Sequence, residues 1–468
     1  MIFSPKDLVK KEGSFSFVGS VNATSNACID KSVMSELWHG FTFHFSTLKV
    51  TRTDGFVFSM GTAKPLYLDG SSYAINVEND GVYITAKGEK DLITGFMTLI
   101  DRIYAEDEDG KTVLKIDCCE IKETPMIQNR MMHFCVFPET QLWELERFVR
   151  LCASLRYTHV IVEFWGMLKY DCMKELAWSF GFTKEQIRPI INTAKDLGLE
   201  IIPMFNHWGH ASASRVMHGK HVVLDQNPSL QTYFSEDGWC WDIKNPKVRA
   251  LLADIRGELT ELFGDSEYFH IGCDEAYNYD LSTKEGMDAI VGYINGIAED
   301  MKKSGKRVIV WGDMFLYKHA SYAQNEKYYC HAPSAKCEEY MLKALDRSVI
   351  IADWQYYLKH APWETSLVFK KHGFDTLVCP WDQSAQNVDT SLATVKENDL
   401  FGIIHTTWHT LSQGMPFVMR AAIGCFEETA GRKSRDGALM AAHLRKVYWV
   451  EGDYEKAGWA KKQIGIIT

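Results

Sequence analysis

The stretch KEQIRPIINTAKDLGLEIIPMF, residues 184–205, contains one complete helix-to-strand unit. Its first part has the apolar spacing of a helix, Gly198 ends that helix, and the apolar run Ile201–Phe205 has the length of a buried strand. The segment Pro246–Leu262 ahead of Gly264 repeats the helical pattern later in the chain. Regular alternation of this kind indicates βα units around a parallel sheet.

Eight short apolar runs separated by helical segments follow one another from Met126 onward. They are Met131–Phe137, His159–Phe164, Ile201–Phe205, Phe269–Gly272, Val308–Trp311, Val349–Ala352, Thr376–Cys379 and Gly402–Thr407. Eight strands over about 310 residues fit an α/β protein with a (β/α)8 TIM barrel better than an open doubly wound sheet. No Gly-x-Gly-x-x-Gly follows the first strand and no Gly-x-x-x-x-Gly-Lys occurs, so the nucleotide-binding motifs are missing.

The first 124 residues have the pattern of a small α+β domain. Two alternating segments, Tyr73–Val77 and Val82–Ala86, flank the turn sequence Glu78-Asn-Asp-Gly81, which predicts a β-hairpin. An amphipathic helix is predicted from Glu89 to Tyr104. We therefore expect a small N-terminal α+β domain, a (β/α)8 barrel, and a C-terminal helix and tail packed on the barrel, with bounds at residues 1–124, 125–435 and 436–468.

The charge balance and the cysteine pattern exclude several classes of protein. The 51 Lys and Arg against 61 Asp and Glu give a net charge of −10 and a pI near 5.9, which argues against a nucleic-acid binder or a polybasic membrane anchor. No apolar run has the length of a signal peptide or a membrane span, and the 12 cysteines include no Cys-x-x-Cys. We therefore expect a cytoplasmic protein with no nucleic-acid or membrane partner, and we leave homodimer formation open.

Tryptophan recurs where the predicted strands end, the level at which barrels carry their active sites. Aromatic residues make up 13% of the chain, and five of the eight strand ends carry a tryptophan: Trp165, Trp311, Trp354, Trp381 and Trp408. Barrel interiors are filled mainly by Val, Ile and Leu. Aromatic faces around a polar pocket instead suit the C–H faces of a pyranose ring, so the pattern favours a sugar-binding pocket.

The run FHIGCDE, residues 269–275, ends in two adjacent carboxylates at the mouth of the predicted barrel. Two carboxylates at one strand end resist joint ionisation, so we expect the pKa of one of them to be raised. The raised carboxylic acid can protonate a leaving-group oxygen while its neighbour stays ionised. Asp274 and Glu275 are therefore candidate catalytic residues.

This run resembles the His-x-Gly-Gly-Asp-Glu signature of glycoside hydrolase family 20, the β-N-acetylhexosaminidases, with Cys273 in place of the second glycine. The segment Ile201–His210 is similar to the family's third-strand segment, which ends Gly-His. Residues 73–103 look like the small α/β domain that precedes the family's barrel. The chain thus resembles a divergent member of this family.

The resemblance implies substrate-assisted catalysis, in which the 2-acetamido oxygen of the substrate attacks the anomeric carbon and forms an oxazolinium ion. Glu275 would be the general acid and then the base that activates water, and Asp274 would orient the acetamido N–H. The implied reaction is exo-hydrolysis, with retention of configuration, of terminal non-reducing β-linked N-acetylglucosamine or N-acetylgalactosamine. The implied partner is an oligosaccharide or glycoconjugate that ends in this sugar, with no cofactor and no metal.

Further site residues follow from the resemblance. Arg130 corresponds to the family's arginine that holds sugar hydroxyls, and His210 to the histidine near the acid. Trp311, Trp354 and Trp408 occupy the positions where aromatic walls enclose the acetamido methyl and the sugar face.

Three departures from the family pattern concern substrate recognition. Asn206 stands where the family usually has an acidic residue, and Trp381-Asp382 stands where a tyrosine usually bonds the acetamido oxygen. We expect Trp381 to line the pocket, Asp382 to hold a hydroxyl, and Tyr356 or Tyr357 to supply the missing tyrosine. Trp408-His-Thr410 replaces the usual Trp-x-Glu, so the choice between the two N-acetylhexosamines stays open.

Three alternatives also remain open. The first is a metal-dependent barrel hydrolase with ligands from His133, His207, His210, His270 and Asp274. The second is a non-catalytic sugar-binding barrel, which would have no need for an acid. The third is a retaining glycosidase with two protein carboxylates, Glu275 plus Glu163 or Asp313.

Overall fold

The part of the chain that the computed structural model describes forms an N-terminal sheet with one helix, followed by a closed barrel of eight parallel strands. The described residues are 2–18, 21–26, 43–47, 55–212, 220–319, 326–381, 383–408, 411–427 and 435–447. Within them, no helix is both long enough and apolar enough to span a bilayer.

The N-terminal sheet has the strand order β1-β8-β5-β6-β4-β2-β3, and β7 pairs with β8. Its strands are β1 (Asp7–Phe17), β2 (Val21–Ser25), β3 (Phe43–Thr47), β4 (Phe56–Gly61), β5 (Tyr73–Glu78), β6 (Gly81–Ala86), β7 (Tyr104–Glu108) and β8 (Lys111–Glu123). All described pairings are antiparallel except β2 with β3. The predicted hairpin is confirmed as β5 and β6.

One helix, α1 (Glu89–Arg102), packs on this sheet and confirms the predicted amphipathic helix. It buries Leu92, Phe96 and Leu99, and the Phe96 ring meets Phe58 of β4 edge-on at 4.9 Å between centroids. Gly95 permits this close approach, because a Cβ there would lie 3.0 Å from the side chains of Tyr73 and Ile84. The helix therefore lies directly against the strands of the predicted hairpin.

The eight predicted apolar runs are the eight strands of a closed parallel barrel, which confirms the TIM-barrel prediction. The strands are β9 (Asn129–Val136), β10 (His159–Phe164), β11 (Glu200–Met204), β12 (Tyr268–His270), β13 (Arg307–Trp311), β14 (Ile350–Trp354), β15 (Thr376–Cys379) and β16 (Gly402–Thr406). The barrel closes where β16 pairs with β9, with Ile404 opposite Met131.

Helices cover the outside of the barrel. Those of eight or more residues in the described part are α2 (Leu142–Ser154), α3 (Lys184–Asp196), α4 (Pro246–Phe263), α5 (Lys284–Lys303), α6 (Ala335–Ala344), α7 (Glu364–Lys371), α8 (Ala385–Glu397), α9 (Leu411–Gly424) and α10 (Arg435–Val447). Shorter helical segments are Lys174–Leu176, Val223–Gln226, Pro228–Tyr233 and Asp313–Phe315. In α3, Thr183 caps the first turn and Gly198, with a φ of 73°, follows the last.

Strand β10 shows why the sequence runs are continuously apolar. Ile161 belongs to the cluster inside the barrel, whereas Val160 and Val162 belong to the larger cluster beneath the helices. Successive side chains on a strand point to opposite faces, and here both faces are buried. The strands are therefore mainly apolar, with a few buried polar residues such as His133, Asp353 and His405 inside them, and the site is built at their C-terminal ends.

The domain bounds drawn from the sequence stay a proposal, and the described elements lie close to them. β8 ends at Glu123 and β9 begins at Asn129, while α10 begins at Arg435. His443 of α10 contacts Ser154 at the end of α2, 2.9 Å from its hydroxyl. Residues 448–468, the predicted tail, lie outside the described residues.

A buried ion pair joins the N-terminal sheet to the barrel. Arg156 Nη1 lies 3.0 Å from Glu123 Oε2, and both side chains are buried. The Arg156 guanidinium also lies over the rings of Phe3, at 3.7 Å, and Phe426, at 4.8 Å. Tyr73 of β5 donates its hydroxyl to the same carboxylate. The junction therefore joins β5 and β8 to the segment after α2, Phe3 and Phe426.

We expect Arg156→Met to destabilise the protein by about 3–5 kcal/mol, because it leaves the Glu123 carboxylate buried without its cation. Equilibrium denaturant unfolding of the variant and the wild type measures this difference. Lys343→Met, which breaks an exposed pair with Glu339 on α6, is the control and should cost about 0.5 kcal/mol or less. Equal effects of the two substitutions would contradict the structural role of the junction.

Candidate active site

A pocket of about 380 Å³ opens at the C-terminal ends of the barrel strands. Among the described residues, those that line it are Trp165, His210, Lys220, Asp274, Glu275, Tyr329, Trp354, Tyr356, Trp381 and Trp408. Seven of them are predicted site residues and an eighth, Trp165, is one of the five strand-end tryptophans, so the structure brings most of the predicted site together.

The backbone after β12 turns sharply to present the two carboxylates. Gly272 has a φ of 67°, and Cys273 and Glu275 have φ values of 71° and 50°, all in the left-handed region. A Cβ at Gly272 would lie 2.8 Å from the Asn206 side chain. Cys273, which stands where the family signature has glycine, therefore adopts a conformation that glycine reaches at lower cost.

The loop after β11 must approach this turn closely. A Cβ on Gly209 would lie 1.9 Å from the carbonyl oxygen of Asp274, so only glycine fits there. The next residue, His210, has a φ of 55° and places its ring between the two carboxylates. The close approach of the two loops thus explains why glycine precedes histidine in the Gly209-His210 pair noted in the sequence.

His210 joins the two carboxylates. Its Nε2 lies 3.0 Å from Glu275 Oε2 and 3.2 Å from Asp274 Oδ2. On the other side of Asp274, Asn206 donates its amide N–H to Oδ1 at 3.0 Å. Tyr277 donates its hydroxyl to Glu275 Oε1.

The surrounding charges keep both carboxylates ionised. Burial raises the pKa of Asp274, but the charges of Lys220 and His210 outweigh burial and lower it to about 2. Burial also raises the pKa of Glu275, but hydrogen bonds from His210 and Tyr277 bring it below its usual value. Burial would lower the pKa of His210, but Asp274 and Glu275 raise it to about 9, so the ring is cationic at neutral pH.

The prediction that one member of the Asp274-Glu275 pair has a raised pKa was therefore wrong. The sequence showed the two like charges but not the two cations beside them. The carboxyl with a strongly raised pKa is Asp313, because it is buried and faces the charge of Asp274. Asp313 accepts the Glu275 backbone N–H at 2.9 Å and the Trp354 indole N–H at 3.0 Å, so it positions the acid and one wall.

Lys220 is a pocket residue that the sequence analysis missed. It is 2% exposed, and its Nζ lies 2.9 Å from Glu163 Oε1 and 3.3 Å from Asn206 Oδ1. It follows no strand directly and belongs to no motif, so no local signal in the sequence marks it.

Glu163 lies beneath the pocket, where its carboxylate contacts three side chains. Besides Lys220, it accepts the Trp165 indole N–H at 2.9 Å, and its Oε2 lies 3.5 Å from His133 Nε2. Burial raises the pKa of Glu163, but the Lys220 charge and the His133 contact more than reverse this effect. Glu163 therefore holds Lys220 and Trp165 in place.

Aromatic rings form the pocket walls. Trp354 packs on Tyr329 at 4.0 Å between centroids, and Tyr356 stacks on Trp381 at 5.4 Å with an interplanar angle of 22°. Of the two tyrosines considered from the sequence, Tyr356 lines the pocket and lies 3.0 Å from the Thr406 hydroxyl. Tyr357 is 39% exposed and stacks on Tyr329 at the rim.

Two predicted site residues that the structure describes, Trp311 and Arg130, do not line the pocket. Trp311 is fully buried and packs on His270 at 4.3 Å and on Trp408 at 5.9 Å, so it supports the wall from below. Asp382 lies outside the described residues.

Arg130 lies near the start of β9, at the end of the strand opposite the pocket. Its guanidinium donates to the carbonyl oxygens of Arg156, Ile127 and Gln128 at 2.8–2.9 Å. The structure thus does not bring Arg130 to the pocket, because backbone carbonyls at the base of the barrel already bind it.

The metal ligands named as an alternative do not converge. His207 Nδ1 lies 2.6 Å from the Phe205 carbonyl, and its ring packs edge-on against Phe269. Within the described residues, the ligand atoms that lie within 4.8 Å of one another are those of His133, Cys135 and Glu163. Since the Glu163 carboxylate is paired with Lys220, this cluster is already occupied by a cation.

Most of the barrel matches the model of a known protein family. The model of the glycosyl hydrolase family 20 catalytic domain matches residues 166–413, just over half of the 468-residue chain. This range contains both carboxylates, Lys220 and all the pocket walls except Trp165.

Curated relatives are distant and longer. A β-hexosaminidase from Porphyromonas gingivalis is 24% identical over 290 residues, which cover 54% of this chain and 37% of the relative. A lacto-N-biosidase from Bifidobacterium bifidum is 25% identical over 186 residues, which cover 36% of this chain and 16% of the relative. The matches thus span well under half of the length of both proteins.

Solved structures share the fold over nearly the whole chain. A family 20 exo-β-N-acetylglucosaminidase from Vibrio harveyi superposes with a TM-score of 0.66 at 16% identity, covering 95% of this chain and 76% of that one. A β-N-acetylhexosaminidase from Bacteroides fragilis gives 0.66 at 14% identity, covering 98% and 96%. With the family match, the barrel and the Asp-Glu pair at the end of β12 in agreement, the chain belongs to glycosyl hydrolase family 20, as a divergent member.

Proposed function

We propose that the protein hydrolyses terminal non-reducing β-linked N-acetylhexosamine with retention of configuration, through an oxazolinium intermediate. The observation that carries this proposal is the His210-bridged pair Asp274 and Glu275 in a pocket walled by aromatic rings. Among the described lining residues these two are the carboxylates, so a substrate group is the natural nucleophile. The substrate class is an oligosaccharide or glycoconjugate that ends in this sugar.

In the first step, the acetamido oxygen of the substrate bonds to C1 while the bond from C1 to the leaving oxygen breaks. Glu275 gives its proton to that oxygen. Ionised Asp274 accepts the acetamido N–H and stabilises the positive charge of the oxazolinium. In the second step Glu275 takes a proton from water and the water oxygen bonds to C1. The bond from C1 to the acetamido oxygen breaks, so the oxazolinium ring opens and the β-configuration is restored.

Glu275 must be protonated to act as the acid, although its pKa is lowered by His210 and Tyr277. A sugar in the pocket would remove water from the carboxylate and raise its pKa. The same carboxylate, once ionised, is stabilised by its contacts with His210 and Tyr277, and the ionised form is the one that takes a proton from water. The lowered pKa therefore favours the role of Glu275 as the base of the second step. Its role as the acid of the first step depends on substrate binding.

The geometry disfavours the alternatives. Glu163 is bound by Lys220 and Trp165, and Asp313 by the Glu275 backbone and Trp354, so neither is placed to act as a second protein nucleophile. A binding protein without catalysis has no use for an acid held at the pocket wall.

A cytoplasmic location, homodimer formation and the absence of nucleic-acid and membrane partners stay proposals from the sequence.

We expect Glu275→Gln to lower kcat/KM by about 10²-fold or more for sugar or alkyl leaving groups, because these need protonation. Aryl leaving groups of low pKa should suffer much less in this parameter. Steady-state kinetics with a matched series of β-N-acetylhexosaminides measures the effect. Glu339→Gln, on the exposed face of α6, is the control, and an equal loss across all leaving groups would contradict the acid role.

Asp274→Asn should lower kcat/KM for acetamido substrates by about 10²-fold, because the neutral amide no longer stabilises the oxazolinium. The measurement compares a 2-acetamido glycoside with its plain 2-hydroxy counterpart, together with inhibition by a thiazoline analogue of the intermediate. If the wild type cleaves the plain glycoside as fast as the acetamido one, substrate assistance is wrong.

Tyr277→Phe should move the alkaline limb of the pH profile of kcat/KM to higher pH. The Tyr277 hydroxyl donates to ionised Glu275 and lowers its pKa, so its removal raises that pKa and keeps the acid protonated to higher pH. Tyr279→Phe is the matched control, because the Tyr279 hydroxyl has no partner among the described residues. A limb that stays in place, or moves to lower pH, contradicts this coupling.

A further inference from the structure

Among the described residues that line the pocket, Lys220 is the one whose charge the proposed reaction does not use. Its ammonium faces two rings that pack on each other, Trp408 at 4.7 Å and Trp165 at 5.4 Å from the ring centroids. Burying a lysine costs free energy unless the charge is paired, and burial does tend to lower its pKa, but Glu163 and Asp274 more than compensate. The ammonium is therefore cationic and held in one place.

The partners of Lys220 leave it able to bind a ligand. An ammonium has three N–H donors and no acceptor. Glu163 Oε1 takes one at 2.9 Å and Asn206 Oδ1 takes another at 3.3 Å. Since Lys220 lines the pocket, the third donor is available to a group bound there.

The charges around Lys220 select the kind of group. Glu163 neutralises the ammonium, and the ionised Asp274 and Glu275 line the same pocket. With the cationic His210 counted, the five groups carry one net negative charge, which disfavours a phosphate or carboxylate on the substrate. A neutral hydroxyl needs only the free N–H donor, and the two tryptophans that line the pocket beside Lys220 carry no charge that opposes it.

The order of the side chains indicates which hydroxyl this is. Hydrogen bonds link Lys220 to Asn206, Asn206 to Asp274, and Asp274 through His210 to Glu275. In the proposed reaction Glu275 lies at the leaving oxygen on C1, and Asp274 at the acetamido group on C2. Continuing along the sugar ring from C1 to C2 leads to C3 and C4.

We infer that Lys220 binds the C3 or C4 hydroxyl of the non-reducing sugar, the task that the family resemblance implied for Arg130. This inference rests on the proposed function and deepens it, since it names the residue that binds a sugar hydroxyl beyond C2. Arg130 is bound to backbone carbonyls at the opposite end of its strand, so the cation comes instead from the segment after β11.

The test combines variants with deoxygenated substrates. The wild type and Lys220→Met are assayed with an aryl β-N-acetylhexosaminide and its 3-deoxy, 4-deoxy and 6-deoxy analogues. In the wild type, loss of the hydroxyl that Lys220 binds should lower kcat/KM about 10- to 100-fold, the range of a charge-assisted hydrogen bond. In Lys220→Met this penalty for the 3-deoxy or 4-deoxy substrate should vanish, while the 6-deoxy penalty stays.

Two controls keep the result interpretable. Lys306→Met removes another buried lysine, which donates to the Gly264 carbonyl at the base of the barrel, and should leave every deoxy penalty intact. Because Lys220→Met leaves Glu163 unpaired, Lys220→Met with Glu163→Gln removes both charges and provides a second variant if the first does not fold.

The inference is overturned if Lys220→Met lowers kcat/KM for all four substrates by the same factor and every deoxy penalty persists, because that is the signature of a purely structural role. The dissociation constants of free N-acetylhexosamine and its deoxy analogues give the same comparison without turnover. A wild type that binds the sugar with the expected hydroxyl dependence but does not cleave the glycoside would instead overturn the proposed reaction and leave the role of Lys220 supported.

Discussion

The structure of the site depends on one row of buried, alternating charges at the mouth of the barrel. Glu163, Lys220, Asp274, His210 and Glu275 follow one another, with Asn206 bridging the second and third. Each of these groups alone would lose its charge on burial, because desolvation penalises the ionised form. Together they stay ionised, so the removal of any one cation changes the protonation of the carboxylates beside it.

This row exists because the backbone permits unusually close approach. Gly209 brings the loop after β11 against the carbonyl of Asp274, and His210, Cys273 and Glu275 all have positive φ angles. Residues with side chains pay about 1–2 kcal/mol for such conformations. Backbone hydrogen bonds hold them there, such as Lys220 N–H to the His210 carbonyl and Trp311 N–H to the Gly272 carbonyl. The barrel strands thus supply the rigidity that the strained turns need.

Periodicity and turn residues were sufficient to predict the fold. The barrel strands are buried on both faces and mainly apolar, so their runs stand out in the sequence, and Gly198 and Gly264 mark helix ends by their positive φ. The Asp274-Glu275 pair was also predictable, because a strand end in a barrel always faces the mouth. The expected rise in the pKa of one member was wrong, since that depends on His210 and Lys220, which come from a different loop.

By itself, then, the sequence determined the order of the elements, the closed barrel and the position of the two carboxylates, because these follow from local patterns of period and strand end. Only the tertiary structure decided which cation enters the pocket. Arg130 and Lys220 are both basic residues, but Arg130 lies near the start of its strand, at the base of the barrel, and Lys220 lies on a loop at the mouth. The same holds for Trp311 and Trp354, both at strand ends, of which the first is buried beneath the pocket and the second lines it. Contacts between distant segments decide these assignments, and they leave no local signature in the chain.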